Sequence, residues 1–328
     1  MAPLALSGAL AMAFLGSRGQ TTADMGRPLF LTDPWARQLG KHLMKLPFQN
    51  SLWHHPQHPF QPAYLAGLEE SFKTTARPLD NPDGSERNPV NAWVETATQK
   101  RIPVLFGSGA LNDATRLVLV SSVTFSSPWE CPFQLKPITN PSGRVTQDPF
   151  MHLKGNLGFM GNELFQLLEV PCQGNTMSVC FMLPRERAGL SRITQGLDAK
   201  KFAGWVKEIK VAPVEVSLPR FQVGSKLDLA DALSSMGLSR AFTAGQADFS
   251  AMSASPELSM SRVLNQTAVE VTEAGVQASA VTAVVFAPTP YVTDRVASNQ
   301  PDHPFQFFVR DRQSSAILAM GRGEQPHS

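Results

Sequence analysis

The sequence has few cysteines, little net charge and no long apolar run, and each shortage excludes a class of protein. Three cysteines in 328 residues cannot hold a chain of this size together, and an odd number leaves at least one thiol unpaired in a monomer. A net charge of +2 gives no whole-protein reason to bind nucleic acid. No charge-free apolar stretch is long enough to span a membrane as a helix. The 42% of hydrophobic residues is typical of a folded protein.

Motifs of catalysis and cofactor binding are also missing. The chain contains no G-x-S-x-G, H-E-x-x-H, C-x-x-C or Walker loop, so neither an enzyme nor a cofactor is predicted. His54, His55 and His58 could suggest a metal site. No cysteine accompanies them and prolines interrupt them, which favours a solvated loop and no metal.

Two of the cysteines flank a predicted turn at 173–175. A tight turn there would pair Cys172 with a residue near 177, so a disulfide from Cys172 to Cys180 would be badly placed. Both are therefore predicted to be small buried hydrophobic residues.

The first fifteen residues are apolar and end in small side chains, as the core of a signal peptide does. No Lys or Arg precedes Arg18, whereas a signal peptide normally starts with positive charge. The lack of positive charge before Arg18 favours the alternative of a buried helix that starts near Pro3 and runs to Gly16.

The hydrophobic periodicity predicts helices mainly early in the chain and strands mainly later, which is an α+β pattern in one domain. Helices are predicted at 35–46 and at 90–105, the second with Asn91 as a possible cap. Residues 47–62 are predicted to be irregular because they are rich in Pro and His. Strands are predicted at 116–125, on both sides of the turn within 164–183, at 211–223 and 263–271, and in a hairpin of 305–310 with 316–320.

The most informative stretch is 276–287, which contains no charge, no Pro and no Gly. Its alternation predicts a half-buried strand, because Gln277 and Ser279 begin one side. The other side of an extended chain here would carry Val276, Ala278, Ala280, Thr282, Val284 and Phe286. The next seventeen residues hold four prolines and mostly polar side chains, as an exposed loop would. On pattern alone, an ordinary strand already paired in a sheet is the simpler interpretation.

Five segments, in order, resemble the serpin family of serine protease inhibitors, and their sequences are most similar to the plasminogen activator inhibitor-like branch. They are 90–109, TRLVLVSSVTFSSPWECPF at 115–133, ELFQLLEVPCQGNTMSVCFMLP at 163–184, VEVSLPRFQVGSKLDLADALSSMGLSRAF with ADFSAMS at 214–253, and HPFQFFVRDRQSSAILAMGR at 303–322. The resemblance implies the serpin fold, with N-terminal helices packed on a large mixed sheet A, sheets B and C, and an exposed reactive-centre loop. It also implies one serpin domain over 1–328 that lacks the family's first helix, with the loop at about 275–303.

The same resemblance implies a suicide-substrate mechanism, in which a protease cuts the loop and the cut loop inserts into sheet A. The hinge of that loop would be Glu273, Gly275, Val276, Ala278 and Ala280. The composition of 276–287 is consistent with insertion, because a central strand excludes Pro and small side chains enter a packed sheet without overpacking it.

The scissile bond has three candidate positions, two by loop length and one by cleavage chemistry. Counting from either end of the loop gives Thr289 or Thr293, so the loop is about four residues longer than family loops. Arg295 is the only basic residue between Gly275 and Arg310, and a trypsin-like protease would cut the bond from Arg295 to Val296. Cleavage there would leave a longer tether, which favours release of the protease.

Several departures from the family keep two alternatives open: a non-inhibitory serpin-fold carrier or binding module, and an inactive truncated isoform. Val276 replaces a usual Thr or Ser, while Ser121 and Asn265 replace a usual Asn and His near the point where sheet A opens. Asn265 also begins the only N-x-[ST] sequon. By the resemblance it lies under sheet A, where a glycan could not fit.

The implied partner is a serine protease, trypsin-like by the choice of Arg295, and the protein is expected to be a secreted, extracellular monomer without nucleic-acid or membrane partners. Arg37, Lys41 and Lys45 share one helical face, where some serpins bind heparin-like polysaccharides. A solvated charged face is the alternative reading.

Overall fold

The computed structural model describes residues 1–56, 60–74, 76–79, 88–112, 114–136, 150–186, 189–255, 258–286 and 305–323. Eight α-helices lie within these ranges. They are α1 Pro3–Leu15, α2 Gly19–Leu29, α3 Asp33–Leu43, α4 Pro62–Phe72, α5 Pro89–Ala97, α6 Leu190–Thr194, α7 Ala199–Glu208 and α8 Ala230–Leu233. None of these described helices is long and apolar enough to cross a bilayer.

The strands follow the helices for most of the chain and form two large sheets, which confirms the α+β class. In the described residues they are β1 Phe48–His54, β2 Ala76–Pro78, β3 Leu117–Pro128, β4 Gln134–Lys136, β5 Phe150–Gly161, β6 Phe165–Pro171, β7 Met177–Pro184, β8 Lys210–Leu218, β9 Phe221–Asp228, β10 Met260–Val271, β11 Gly275–Phe286, β12 Phe305–Asp311 and β13 Ile317–Gly323.

The first sheet, here called sheet A, has six strands in the order β2-β1-β3-β11-β10-β9. It is mixed, because β1 and β2 are parallel while the other pairs are antiparallel. The second sheet runs β13-β12-β7-β6-β5-β4, with β8 paired to β5. The predicted turn between β6 and β7 and the predicted terminal hairpin of β12 with β13 are both present.

Helix α1 lies in the hydrophobic core against β3 and β11, and most of its residues are buried. A helix that is apolar on all sides is stable only in such a position. The helix predicted from Pro3 to Gly16 is therefore confirmed, since Gly16 is its C-terminal cap. Gly8 allows the close approach, because a Cβ there would lie 2.9 Å from the Oγ of Ser121 on β3.

The prediction that 47–62 is irregular is wrong for its first half, where β1 forms an inner strand of sheet A. Strand β1 pairs with β3 over seven residues, and Ser51, Leu52 and Trp53 are buried. Most of the Pro and His residues of 47–62 follow this strand, and pairing with neighbours outweighs local propensity.

Three predicted boundaries also differ. Helix α5 ends at Ala97 rather than 105, and its N-cap is Asn88, which accepts from the backbone N–H of Asn91. The side chain of Asn91 instead accepts from the backbone N–H groups of Leu105 and Phe106. The helix predicted at 35–46 ends at Leu43, and the single strand predicted at 211–223 is two strands, β8 and β9.

Candidate functional site

The candidate hinge residues other than Glu273 lie inside sheet A, in the strand β11 between β3 and β10. All twelve of its residues are in register with β3, and eleven are in register with β10. Both faces of β11 are buried, and Gln277 is its one partly exposed residue. The strand is therefore more buried than the prediction of a half-buried strand. A central strand covered on both faces needs apolar or small side chains throughout, which this segment supplies.

The two faces of β11 pack against different layers. Val276, Ala278 and Ala280 lie in a cluster with aromatic side chains of the second sheet, including Phe305 and Phe307. On the opposite face Val281, Ala283 and Val285 lie in a cluster with Val90 and Val94 of α5. Val276, Ala278 and Ala280 of the candidate hinge therefore pack in the hydrophobic core.

The start of β11 is clamped by the segment that follows β3. The backbone N–H of Trp129 donates to the carbonyl of Ala274 at 3.1 Å, and its indole Nε1 donates to that of Thr272 at 2.8 Å. The N–H of Phe133 donates to the carbonyl of Glu273 at 3.0 Å. These bonds fix the path by which the chain enters sheet A.

Glu273 also forms a two-pronged ion pair with Arg220. The Arg220 Nε and Nη2 atoms donate to the two carboxylate oxygens at 2.7 and 2.5 Å. This guanidinium holds the pKa of the Glu273 carboxyl below its ordinary value. The pair joins the turn before β9 to the turn before β11.

Gly275 lies where the backbones of β11 and β3 come very close. A Cβ at this position would lie 2.8 Å from the Cα of Pro128, and closer still to the carbonyl oxygen of Ser127. Because these are backbone atoms that cannot easily move, the position requires glycine.

The two departures at Ser121 and Asn265 lie on either side of β11. Ser121 and Asn265 are each in direct register with Thr282, one on either side of it. The Asn265 Nδ2 donates to the Thr282 Oγ1 at 2.7 Å, and both residues are fully buried. Burial of Asn265 agrees with the expectation that a glycan could not fit there.

On the face opposite α1, the segment after α5 contacts the first residues of β11. The Arg101 Nη2 donates to the Gln277 Oε1, and the Ser279 Oγ donates to the Thr98 carbonyl at 3.3 Å. Sequence reasoning did not find Arg101, Arg220 or Trp129, because their partners lie far away in the chain and no local pattern marks them.

The other predicted sites are less informative. Arg37 pairs with Asp33 at 2.8 Å and Lys41 with Glu70 at 3.1 Å, so two of the three charges on the predicted polysaccharide face are partly neutralised. Lys45 is exposed. The four residues named as candidates for the scissile bond lie outside the described residues: Thr289, Thr293, Arg295 and Val296.

The cysteines are free thiols, and Cys172 and Cys180 are buried while Cys131 is exposed. The N–H of Cys172 donates to the carbonyl of Met177 at 2.9 Å, as the predicted turn requires. Of the predicted histidine cluster, His54 lies in β1 and His58 is outside the described residues. No group of three or more potential metal ligands occurs among the described residues.

Comparison with known proteins gives a family match over almost the whole chain. The profile of the family described as "Serpin (serine protease inhibitor)" matches residues 1–326. The chain is 31% identical over 349 residues to Serpin B8 of Bos taurus, which covers 99% of this chain and 92% of that protein. It is 28% identical over 354 residues to the leukocyte elastase inhibitor of Homo sapiens, with the same coverage.

Solved structures with the same architecture include serpins described as cleaved, latent or loop-inserted. Cleaved Serpin 42Da matches with a TM-score of 0.85 at 23% identity, covering 100% of this chain and 91% of that one, which shows the fold. The thermophilic serpin tengpin in the latent state matches with a TM-score of 0.84 at 25% identity, with the same coverage.

The relatives correct one expectation from the sequence. The prediction of a secreted, extracellular protein is wrong, because the similar curated proteins Serpin B8, Serpin B4 and the leukocyte elastase inhibitors are intracellular clade B serpins. The plasminogen activator inhibitor-like branch and the absence of a first family helix stay predictions.

Proposed function

Because the chain belongs to the serpin family, we propose that it inhibits a serine protease as a suicide substrate. A target protease attacks a loop of about 275–303 and forms an acyl-enzyme with it. The cut loop then enters sheet A as β11 and carries the protease with it. Family relatives named as elastase inhibitors support an inhibitory role over a carrier role.

The observation that carries this proposal is the insertion-competent strand itself. Strand β11 is hydrogen-bonded between β3 and β10, both of its faces are buried, and it contains no proline. Such a strand adds backbone hydrogen bonds and buries apolar side chains, including Val276, Val284 and Phe286. That gain in free energy is what would drive insertion after cleavage.

The proposed hinge residues have distinct parts in insertion. Gly275 passes the backbone of β3, and Glu273 anchors the start of the strand to Arg220. Val276, Ala278 and Ala280 fill the core beneath sheet A once the strand is in place. In this position Val276 serves as well as a Thr or Ser, because its side chain is fully buried among apolar groups.

For the target we propose a trypsin-like protease that cuts the Arg295–Val296 bond. An elastase-like protease that cuts between Thr289 and Thr293 is the competing possibility, since relatives are named for elastase inhibition. The two choices differ in tether length and in the specificity pocket that would accept the residue before the cut.

The test is to mix the full chain with trypsin-like and elastase-like proteases and to run a denaturing gel. A band near the summed masses that survives denaturant is expected, and sequencing the released peptide locates the bond. Ala280→Pro is the matched variant, because proline removes a ladder N–H from β11 and should permit cleavage without complex. Ala280→Ser should still form the complex.

A clean cut of the unaltered chain by every protease, with no stable band, would overturn the inhibitory function. The nicked protein then distinguishes the alternatives. A large rise in melting temperature on nicking means that the strand inserts too slowly to trap the protease. No rise means a serpin-fold protein that does not insert its loop.

A further inference from the structure

The segment that follows α5 has an unusual backbone. Gln99 and Lys100 have φ values of +53° and +65°, a left-handed conformation that side chains other than glycine seldom adopt, and here two occur in succession. The turn is held by the N–H of Lys100, which donates to the carbonyl of Glu95 at 2.7 Å. The Thr98 Oγ1 also accepts from the N–H of Ile102 at 3.1 Å.

This turn directs two groups at the first part of β11. It brings the guanidinium of Arg101 to the side-chain oxygen of Gln277, and the Thr98 carbonyl to the hydroxyl of Ser279. The other hydrogen bonds of Arg101 are local: Nη1 donates to the Gln99 side chain at 3.0 Å and the backbone N–H donates to the Thr98 carbonyl at 3.1 Å. Within the described residues Arg101 forms no ion pair. Backbone strain that is maintained by a hydrogen-bond network commonly marks a functional position.

Both contacts require β11 to lie in sheet A. Gln277 and Ser279 alternate with the core-facing residues and therefore project on the α5 side of the sheet. If the strand left the sheet, Arg101 would lose Gln277 and the Thr98 carbonyl would lose Ser279. Gln277 stands two residues after the close approach at Gly275, so its contact forms early as the strand enters.

We propose that Arg101 is a positioning residue for loop insertion, which captures Gln277 and so favours insertion over release of the protease. A hydrogen bond from a charged donor is stronger than a neutral one, and it is made only in the inserted state. The inference rests on the proposed inhibitory function. The turn after α5 would thus help to determine whether the protein traps the protease or is cut and released as a substrate.

The first test compares Arg101→Ala with Lys100→Ala by counting the inhibitor molecules consumed per protease molecule inactivated. Lys100 is the matched control, because it is an adjacent exposed cation for which no side-chain contact to β11 is found in the described residues. We expect the count to rise about two- to tenfold for Arg101→Ala, as for loss of one hydrogen bond of ordinary net strength at a partly buried site. Lys100→Ala should leave it unchanged.

The second test uses charge. Gln277→Glu should leave unchanged or reduce the number of inhibitor molecules consumed per protease molecule inactivated, since a carboxylate accepts from Arg101. Gln277→Lys should raise it by repulsion, and the double variant Gln277→Lys with Arg101→Glu should restore it. A merely structural role for Arg101 would not give rescue by reversed charges. The far-UV circular dichroism of the uncut variants separates misfolding from the proposed effect.

The outcomes are separable from failure of the proposed function. If the unaltered chain forms no stable complex with any protease, the inhibitory function fails. If it forms the complex and Arg101→Ala behaves like Lys100→Ala, or the double variant behaves no better than Gln277→Lys, only the role of Arg101 is overturned.

Discussion

At the scale of single residues, the proposed hinge and the strand it begins form polar contacts with residues that are remote in the chain. Glu273 was a sequence prediction, but Arg220, 53 positions away, was not. The same holds for Asn265, which the sequence marked as unusual without indicating Thr282 as its buried partner. Pairing across a sheet is decided by register, and register is a property of the folded chain.

The ion pair of Glu273 predicts a pH dependence of stability. Arg220 lowers the pKa of this carboxyl below its ordinary 4.5, so the stabilisation is present above that value and is lost as pH falls through the lower, folded-state pKa. Glu273→Gln should therefore lower the stability of the nicked protein slightly at pH 7 and make its loss below about pH 4.5 less steep. Chemical denaturation at several pH values measures this.

Glu270→Gln is the control for this prediction. Glu270 is an exposed residue on β10 for which the described residues provide no ion pair. Glu270→Gln should leave the dependence of stability on pH unchanged. If the stability of Glu273→Gln followed the same pH dependence as the unaltered protein, the prediction would be contradicted.

The buried bond from Asn265 to Thr282 predicts a loss of stability that is confined to the inserted state. Thr282→Val would leave the Asn265 amide without this acceptor and should lower the free energy of unfolding of the nicked protein by about 1–3 kcal/mol. Guanidinium unfolding of the nicked and uncut forms measures it. Thr282→Ser keeps the hydroxyl and should cost less, and an equal loss for the Val and Ser variants would be evidence against the assignment.

At the scale of elements, strand β11 shows what local pattern can and cannot determine. Its lack of charge, Pro and Gly after residue 275 predicted a strand, and the alternation assigned the correct residues to each face. The pattern did not reveal that both faces are buried, because small and apolar side chains fit either environment. Strand β1 was missed for the opposite reason, since its polar-rich sequence becomes a strand only by pairing with β3.

The close approach at Gly275 predicts that a side chain there impairs insertion. Gly275→Ala should reduce the rise in melting temperature on nicking and shift the protein from inhibitor to substrate, because the added Cβ meets the backbone of Ser127 and Pro128. Thermal unfolding before and after nicking is the measurement. Gly155→Ala is the matched control, as a Cβ at Gly155 meets nothing within 4 Å; an equal rise for both variants would refute the steric argument.

At the scale of the whole molecule, the fold buries two of the three thiols and leaves the third accessible. Burial raises the pKa of the Cys172 thiol to about 11 and that of Cys180 to about 12, so neither should react near neutral pH. One thiol per native molecule should therefore be labelled by a maleimide, and all three in guanidinium. Cys131→Ser should abolish labelling of the native protein; two labels per native molecule would contradict the burial.

The sequence alone determined the fold class, the family resemblance, most strand positions and the buried helix α1, because these follow from periodicity, composition and local sequence similarity. The assignment of a hinge came from the resemblance and stays a prediction. Only the tertiary structure decided that β11 is paired on both sides, that Arg220 and Trp129 hold its start, and that the turn after α5 reaches it through Arg101. The physical reason is distance along the chain. Contacts between residues tens to hundreds of positions apart depend on sheet order and register, which no local pattern specifies.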